Sequence, residues 1–303
     1  MTSNQSVSVV IPVLNGEKTL AQTLSALRSQ AALPKDFEVI VVDNGSTDNT
    51  VGVAQKFDVT ILKESKKGPA AARNCGLLHA KGDIIAHVDA DTVPTRRWLI
   101  SLVSLFDDPN VVIAGGRVIG YPPVTGAERF MSSHGIWEPE NNIFRPLFPF
   151  VPSLNLAVRK QAALGIDGWC DTMLTGEDVD FSHRLLKKYP SDIGYSDKAI
   201  LFHHHRETDD QLRKQAWTYG EGGAEMYRRF PEVANFGFSK IAYVAKVMLG
   251  RAIYPNVLSV KKYFGCSDAK QIEFYKYHRL WTWWWWRGFF NMYVKDERKV
   301  WSE

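Results

Sequence analysis

The chain has 303 residues, 45% of them hydrophobic, and a formal charge of +4, enough apolar material for one large α/β domain or one domain with an appendage. Its three cysteines, Cys75, Cys170 and Cys266, are odd in number and widely spaced, which excludes a disulfide framework or a zinc knuckle and fits reduced thiols. From Arg206 onward 17 Lys and Arg stand against 11 Asp and Glu, so the basic surplus belongs to the tail.

Residues 1–8 lack the basic-then-apolar pattern of a signal peptide, and no apolar stretch approaches the roughly 20 residues that span a bilayer, so the expected location is cytoplasmic. The apolar run 7–11 reads as a buried strand, followed by a loop at Pro12 to Asn15 and a helix with Leu20, Leu24 and Leu27 on one face. A second apolar strand covers 38–42. A helix (47–57), a strand (59–62), a helix (69–80), the strand 83–88 and an amphipathic helix over 98–106 follow. Apolar strands alternating with helices imply a mostly parallel sheet covered on both faces, with ligands bound beyond the carboxyl ends of the strands. The loops at Pro12, Asp43 and Asp89 should therefore line one crevice.

In that crevice Asp89 and Asp91 stand one residue apart at the end of a strand. Strand alternation would turn both to one side, where two repelling carboxylates make sense beside a cation; the simpler alternative is an Asx turn. Asp43, opening Asp43-Asn44-Gly45-Ser46-Thr47-Asp48, can be turn chemistry and can also accept the ring N–H of a uracil. Arg73 lies one turn into the helix that Gly68-Pro69 begins, where an N-terminus attracts phosphate, and is a candidate for a diphosphate or base-pocket contact. Glu177, Asp178 and Asp180 open a further helix. They suit its positive end, and become chemical only beside an acceptor hydroxyl. His203-His204-His205 ends an apolar strand at 199–202, and alternation would place His203 and His205 on one face. Glu128, His134, Trp137 and Glu138 could face an acceptor, with a surface loop as the simpler reading.

Together these motifs resemble glycosyltransferase family 2, with the GT-A fold and a non-processive activity, over roughly residues 7–230. The resemblance is carried by Val9-Val10-Ile11-Pro12 with Asn15, Val42 to Asp48, Ala72-Arg73-Asn74, Val88-Asp89-Ala90-Asp91 and Thr175-Gly176-Glu177-Asp178. Leu14 and Asn44 depart from the Tyr and second Asp common in that family. The resemblance implies an inverting, metal-dependent transfer from a nucleotide-sugar, a UDP-sugar above others, to a hydroxyl. Pro12, Val13, Asn15, Asp43, Arg73 and Asp89 would bind the donor; Asp91 with His203 or His205 would hold Mn2+ or Mg2+. Asp178 would act as base, with Glu177 holding the acceptor. The processive Gln-x-x-Arg-Trp box is absent. A sugar-phosphate nucleotidyltransferase would need a Gly-rich N-terminal loop, and here only Gly16 stands near it. A catalytically inactive adaptor of the same fold would lack Asp91 or Asp178, and both are present.

The expected division is a catalytic domain over 1–230, with halves 1–115 and 116–230, and a helical extension over 231–303. Residues 240–287 hold nine Lys and Arg against two acids, mixed with Tyr243, Tyr254, Tyr263, Phe264 and the run Trp281-Thr282-Trp283-Trp284-Trp285-Trp286. Cations among aromatics suit an anionic membrane surface on the inner face of the cell membrane, hence a lipid-linked or glycan acceptor. A homo-oligomer interface and packing onto the catalytic domain are the alternatives; no nucleic-acid recognition motif accompanies the cations.

Overall fold

The computed structural model describes residues 5–31, 37–145, 147–173, 175–233, 242, 245–250, 253–254, 256–258 and 268–294. Lys240, Tyr243, Arg251, Lys261, Lys262, Tyr263, Phe264 and Cys266, which enter the reading of the tail, lie outside these. By its contacts the chain divides into two compact units, residues 1–119 with 136–204, and residues 120–135 with 205–303. Sequence alone placed the division between 230 and 231; residues 205–230 instead fall with the C-terminal segment.

The first unit is built on a sheet of β1 (Val7–Val13), β2 (Phe37–Asp43), β3 (Thr60–Lys63), β4 (Ile84–Val88), β5 (Thr92–Pro94), β6 (Ile113–Gly120), β7 (Asn155–Arg159) and β8 (Gly194–His203), in the order β3-β2-β1-β4-β7-β6-β8-β5. The parallel expectation holds for β3-β2-β1-β4. Beyond β4 the sheet turns antiparallel, in the β4–β7, β6–β7 and β5–β8 pairs. Helices still lie between the later strands in the chain, but β7 pairs between β4 and β6, out of chain order, so alternation alone does not predict the change to antiparallel pairing.

Helices cover both faces because the strands are apolar on both. Val7, Val9, Ile11 and Val13 of β1 pack with Leu20, Leu24 and Leu27 of α1 (Leu20–Arg28) and with Trp98 and Leu102 of α4 (Trp98–Val103). Val10, Ile40, Val42 and Ile85 face the other way, onto Ala70, Ala72 and Leu77 of α3 (Pro69–His79) and Phe181 and Leu185 of α7 (Glu177–Lys188). This is the period of two expected of a strand buried on both sides. The short helices α2 (Thr50–Ala54) and α6 (Lys160–Gly165) complete the unit. Fully buried Asn155 ties the antiparallel half together: Trp98 Nε1 donates to its Oδ1 at 2.8 Å, and its amide donates to the carbonyls of Arg117 (3.2 Å) and Ala199 (3.1 Å).

The second unit contains α5 (Gly126–His134), α8 (Asp209–Arg229) and α9 (Ala269–Tyr293). Glu128, read as a loop residue, instead closes a capping box with Thr125 at the start of α5, whose Phe130 and Met131 are buried. Helices α8 and α9 touch backbone to backbone. A Cβ on Gly220 would lie 1.9 Å from the Trp285 carbonyl oxygen, and one on Gly288 would lie 2.0 Å from that of Trp217.

The tryptophan run is divided by this packing, since successive helical residues point about 100° apart and no single surface can receive them all. Trp281 is buried beside Phe130 and Tyr219, Trp284 packs on Trp217 and Trp285 stacks on Phe289. Only Trp283 of the run is counted among the exposed large side chains, at 48%. Among the described residues no helix is long and apolar enough to cross a membrane.

Candidate active site

Three loops follow the carboxyl ends of neighbouring parallel strands β1, β2 and β4, as expected of ligand crevices in such sheets. Val13, the last residue of β1, pairs in register with Asp43, the last of β2. Both are buried, and Pro12 is half-buried. Asp43 Oδ1 accepts the Ser46 backbone N–H at 3.0 Å, so the Asx turn exists. Asn15 adopts the left-handed region (φ 56°) and grips the neighbouring loop: its Oδ1 accepts Thr47 N–H at 2.8 Å, and its N–H donates to Ser46 Oγ at 2.9 Å. Asn44 is structural. Its amide donates to the carbonyls of Glu64 (3.0 Å) and Lys66 (2.7 Å), and its Oδ1 accepts Gly68 N–H at 2.8 Å.

The segment after β4 is a turn rather than a continuing strand, so Asp89 and Asp91 part company. Thr92 Oγ1 donates to the Asp89 carbonyl at 2.7 Å, and Thr23 of α1 donates its hydroxyl to the carbonyls of Ala90 (3.0 Å) and Thr92 (2.7 Å). Asp89 turns to Arg73; Asp91 turns to His203.

Arg73 is 2% exposed, and one guanidinium nitrogen lies 2.9 Å from Asp89 Oδ1 while the other lies 2.9 Å from Glu177 Oε1. Instead of standing open to a phosphate, it joins the β4 loop to the start of α7. Trp169 holds it there: the guanidinium lies 5.1 Å from the indole centroid, and the indole stacks on Phe181 at 4.1 Å. Asn74 clamps the Trp169 backbone from both sides, accepting its N–H and donating to its carbonyl, each at 2.8 Å. His87, fully buried, meets the indole edge-on at 5.2 Å. Burial, with Arg73 nearby, pushes His87 well below its ordinary range, and neither ring nitrogen has a hydrogen-bond partner, so it stays neutral.

Asp178 follows Glu177 at the start of α7. Its carboxylate accepts the N–H groups of Val179 (2.9 Å) and Ser153 (3.4 Å), and it keeps part of its surface accessible. Desolvation, with the neighbouring Glu177 charge, raises it to about 7, well above the ordinary aspartate range. Burial also raises Glu177, against the pull of Arg73. Asp180, by contrast, is fully buried and ion-paired to Arg184 at 2.6 Å, a structural acid.

His203 Nε2 and Asp91 Oδ1 lie 3.8 Å apart, too far for a hydrogen bond and close enough to share one cation, and Trp137 orients the imidazole edge-on at 5.6 Å. One carboxylate with one imidazole is a donor set suited to Mn2+, and to Mg2+ less well. β8 ends at His203, so alternation does not extend to His205, which belongs to the second unit and lies where a Cβ on Gly120 would come within 2.5 Å of its Nε2. Among the described residues no group of three or more His, Cys, Asp and Glu side chains is assembled as metal ligands. Asn74 entered the sequence reading only as part of the Ala72-Arg73-Asn74 motif, without a role; Thr23, Ser153 and Trp169 were missed, and of these Thr23 alone carried a signal, as a polar residue on the apolar stripe of α1.

A family model described as Glycosyl transferase family 2 matches residues 8–164. The pre-mycofactocin glycosyltransferase of Mycobacterium tuberculosis is 34% identical over 246 residues, covering 76% of this chain and 49% of that protein, so the chain spans about half the length of that relative. Glycosyltransferase AglE of Haloferax volcanii is 31% identical over 233 residues, 73% of this chain and 74% of that one. Among solved structures, a mannosyltransferase from Pyrobaculum calidifontis in complex with GDP-Man and Mn2+ matches with a TM-score of 0.65 at 15% identity, over 98% of this chain and 89% of that one, a likeness of fold.

The Arg73 bridge has a thermodynamic signature. Arg73→Ala leaves Glu177 buried without its cation and should cost about 3–5 kcal/mol in urea unfolding. Adding Glu177→Gln should recover part of that loss; strictly additive costs would mean that the two side chains are not coupled.

Proposed function

This chain belongs to glycosyl transferase family 2, and we propose that it transfers a sugar with inversion from a nucleoside-diphospho-sugar to an acceptor hydroxyl, with Asp178 as base. One observation carries the reading: a partly accessible carboxyl poised at about 7 beside a carboxylate whose partner, Arg73, also holds the loop of the donor crevice. Such a group is basic enough to take a proton at neutral pH and weak enough to be ionised there.

Asp43 accepts a ring N–H of the base. Uracil N3 and guanine N1 both offer one, and the reading favoured here is a UDP-sugar. Pro12, Val13 and Asn15 form the adjoining rim of the crevice, and Asp89 takes a ribose hydroxyl on the oxygen that Arg73 leaves open. With Arg73 committed to carboxylates, Lys67, exposed and with its Nζ 3.3 Å from the Asn44 carbonyl, is the cation left at this crevice for the diphosphate. A divalent cation held by Asp91 and His203 would neutralise the charge that builds on the departing diphosphate. The acceptor oxygen bonds to the anomeric carbon as the bond from that carbon to the diphosphate breaks. Asp178 takes the acceptor proton, and Glu177, fixed by Arg73, holds the acceptor in line.

The second unit fits a peripheral position on an anionic membrane, which would bring in a lipid-linked or surface-glycan acceptor. Leu249, Ile253 and Val257, four residues apart in helical stretches, are 63%, 52% and 40% exposed, and Lys246, Lys276 and Arg287 are exposed cations of the same unit. Intact protein that fails to float with anionic vesicles while still transferring sugar to soluble acceptors would remove the membrane from this reading.

Thermal shift tests donor and metal together. With Mn2+ present, one nucleotide-sugar class should stabilise the protein by about 2.7 kcal/mol at roughly 100 times its dissociation constant. Chelation or Asp91→Ala should abolish the effect, whereas no shift with any nucleotide on folded protein would favour an inactive adaptor of the same fold.

Asp178 has a pH signature in both rate and stability. kcat/KM should fall tenfold per pH unit below about 7 and level off above it, and Asp178→Asn should lower kcat by about 10²–10⁴-fold. Because the folded-state pKa is raised, the stability contributed by the protonated carboxyl is present at low pH and lost as pH rises through about 7. The Asn variant should therefore gain in Tm relative to wild type from pH 5 to pH 8. A flat rate profile would exclude Asp178 as base.

A further inference from the structure

The second unit holds a cavity of about 270 Å³ that sugar transfer does not use. Arg213 at the start of α8, Met248 in the helical residues 245–250, and Arg279, Leu280, Thr282, Trp283 and Trp284 of α9 line it. Met248, Leu280 and the two indoles make its walls apolar. The two arginines put positive charge on those walls, and no Asp or Glu is among the lining residues.

The two arginines differ. Arg213 is paired, donating to Asp210 at 2.7 Å. Arg279 is half-buried, yet it makes no hydrogen bond or ion pair with any described residue. A guanidinium held against an apolar wall loses hydration and is compensated only by an anion, and its planar fork of donors matches phosphate. Trp283, half exposed on the same wall, has the amphipathic ring that settles at a lipid headgroup layer. Leu249, next in the chain to Met248, is 63% exposed. An apolar hole, an uncompensated guanidinium and an interfacial indole are together complementary to a molecule with an aliphatic chain and a phosphate.

We infer that this cavity takes one acyl chain of an anionic phospholipid whose phosphate meets Arg279. The inference rests on the membrane-surface reading of the same unit, and adds a defined lipid site to it. Exposed cations alone would give a diffuse attraction to any negative surface; the cavity adds insertion of a chain at one place.

The test uses the intact chain with phosphatidylcholine vesicles, with and without phosphatidylglycerol, and with the same vesicles brominated on the acyl chains. Binding is read by co-sedimentation and chain insertion by quenching of tryptophan fluorescence. Binding should require phosphatidylglycerol, brominated chains should quench, and Trp283→Phe should remove a measurable part of the quenching. Lys270→Gln, an exposed cation in the first turn of α9 and outside the cavity, should lower affinity by about fivefold, the worth of one surface cation. Arg279→Gln should lower it by at least tenfold with unchanged helix content. If Arg279→Gln costs no more than Lys270→Gln, or bound vesicles do not quench, the lipid site is overturned while the membrane surface stands. If neither vesicle type binds, the membrane reading fails and the site falls with it. If soluble dodecyl phosphate binds and vesicles do not, the cavity belongs to a free amphiphile and the inference is wrong.

Discussion

A single buried guanidinium is shared by two carboxylates that stand far apart in the chain of the first unit. Arg73 meets Asp89 on one side and Glu177 on the other, both at 2.9 Å. Asp178 lies close enough to feel the same charge. One positive charge cannot balance three ionised acids in a site screened from water, so the carboxyl without a direct ion pair is the one that keeps its proton to higher pH. The poise of Asp178 thus comes first from burial and then from the Glu177 charge, against which Arg73, already paired to two other acids, pulls only in part. The same geometry joins the loop after β4 to the first turn of α7, so the crevice loops and Asp178 share one electrostatic element.

Keeping that guanidinium in place takes a good part of the surrounding architecture. Trp169 is wedged between Arg73 and Phe181, and Asn74, the next residue after Arg73, fixes the Trp169 backbone through both its N–H and its carbonyl. Thr23 does a similar service for the other arm, pinning the 89–92 turn from α1. The parallel half of the sheet supplies the crevice loops. Asp178 enters on α7, which packs its Phe181 and Leu185 against the opposite face of the same sheet from α1. A buried charge removed from water is costly unless its partners are held rigidly, and these supports are what rigidity means here.

The strands and crevice loops of the first unit are legible in the sequence because each announces itself locally: an apolar run, then an acid at its end. Asp43, Asp89 and Asp91 are singled out this way; Glu177 and Asp178, which open a helix, are singled out by the family pattern. Arg73 is found as well, but with a different partner, because its contact with Glu177 spans 104 positions and no local pattern records which anion a helix-borne arginine will meet. Period-two alternation misleads at two places for one reason. It applies only while the chain is a strand, and β4 stops at Val88 and β8 at His203, so Asp89 and Asp91 diverge and His205 does not follow His203. The antiparallel half is poorly legible because helices separate its strands in the chain much as they do in the parallel half, while the strands pair out of chain order, β7 lying between β4 and β6, and no local pattern records that.

The aromatic run of α9 shows how composition and geometry divide the same residues. Read as a list, Trp281 to Trp286 look like one surface; wound on a helix they must serve several. Trp281, Trp284 and Trp285 fill the seams with α5 and α8, where Gly220 and Gly288 let two helix backbones meet. That leaves Trp283 outward, beside a cavity wall that also holds Arg279. A helix that packs this tightly on one side is stiff, and stiffness matters on the other. An indole and a guanidinium held by a rigid helix lose little further freedom when they meet a ligand, so even a small cavity can bind without first paying to order its walls.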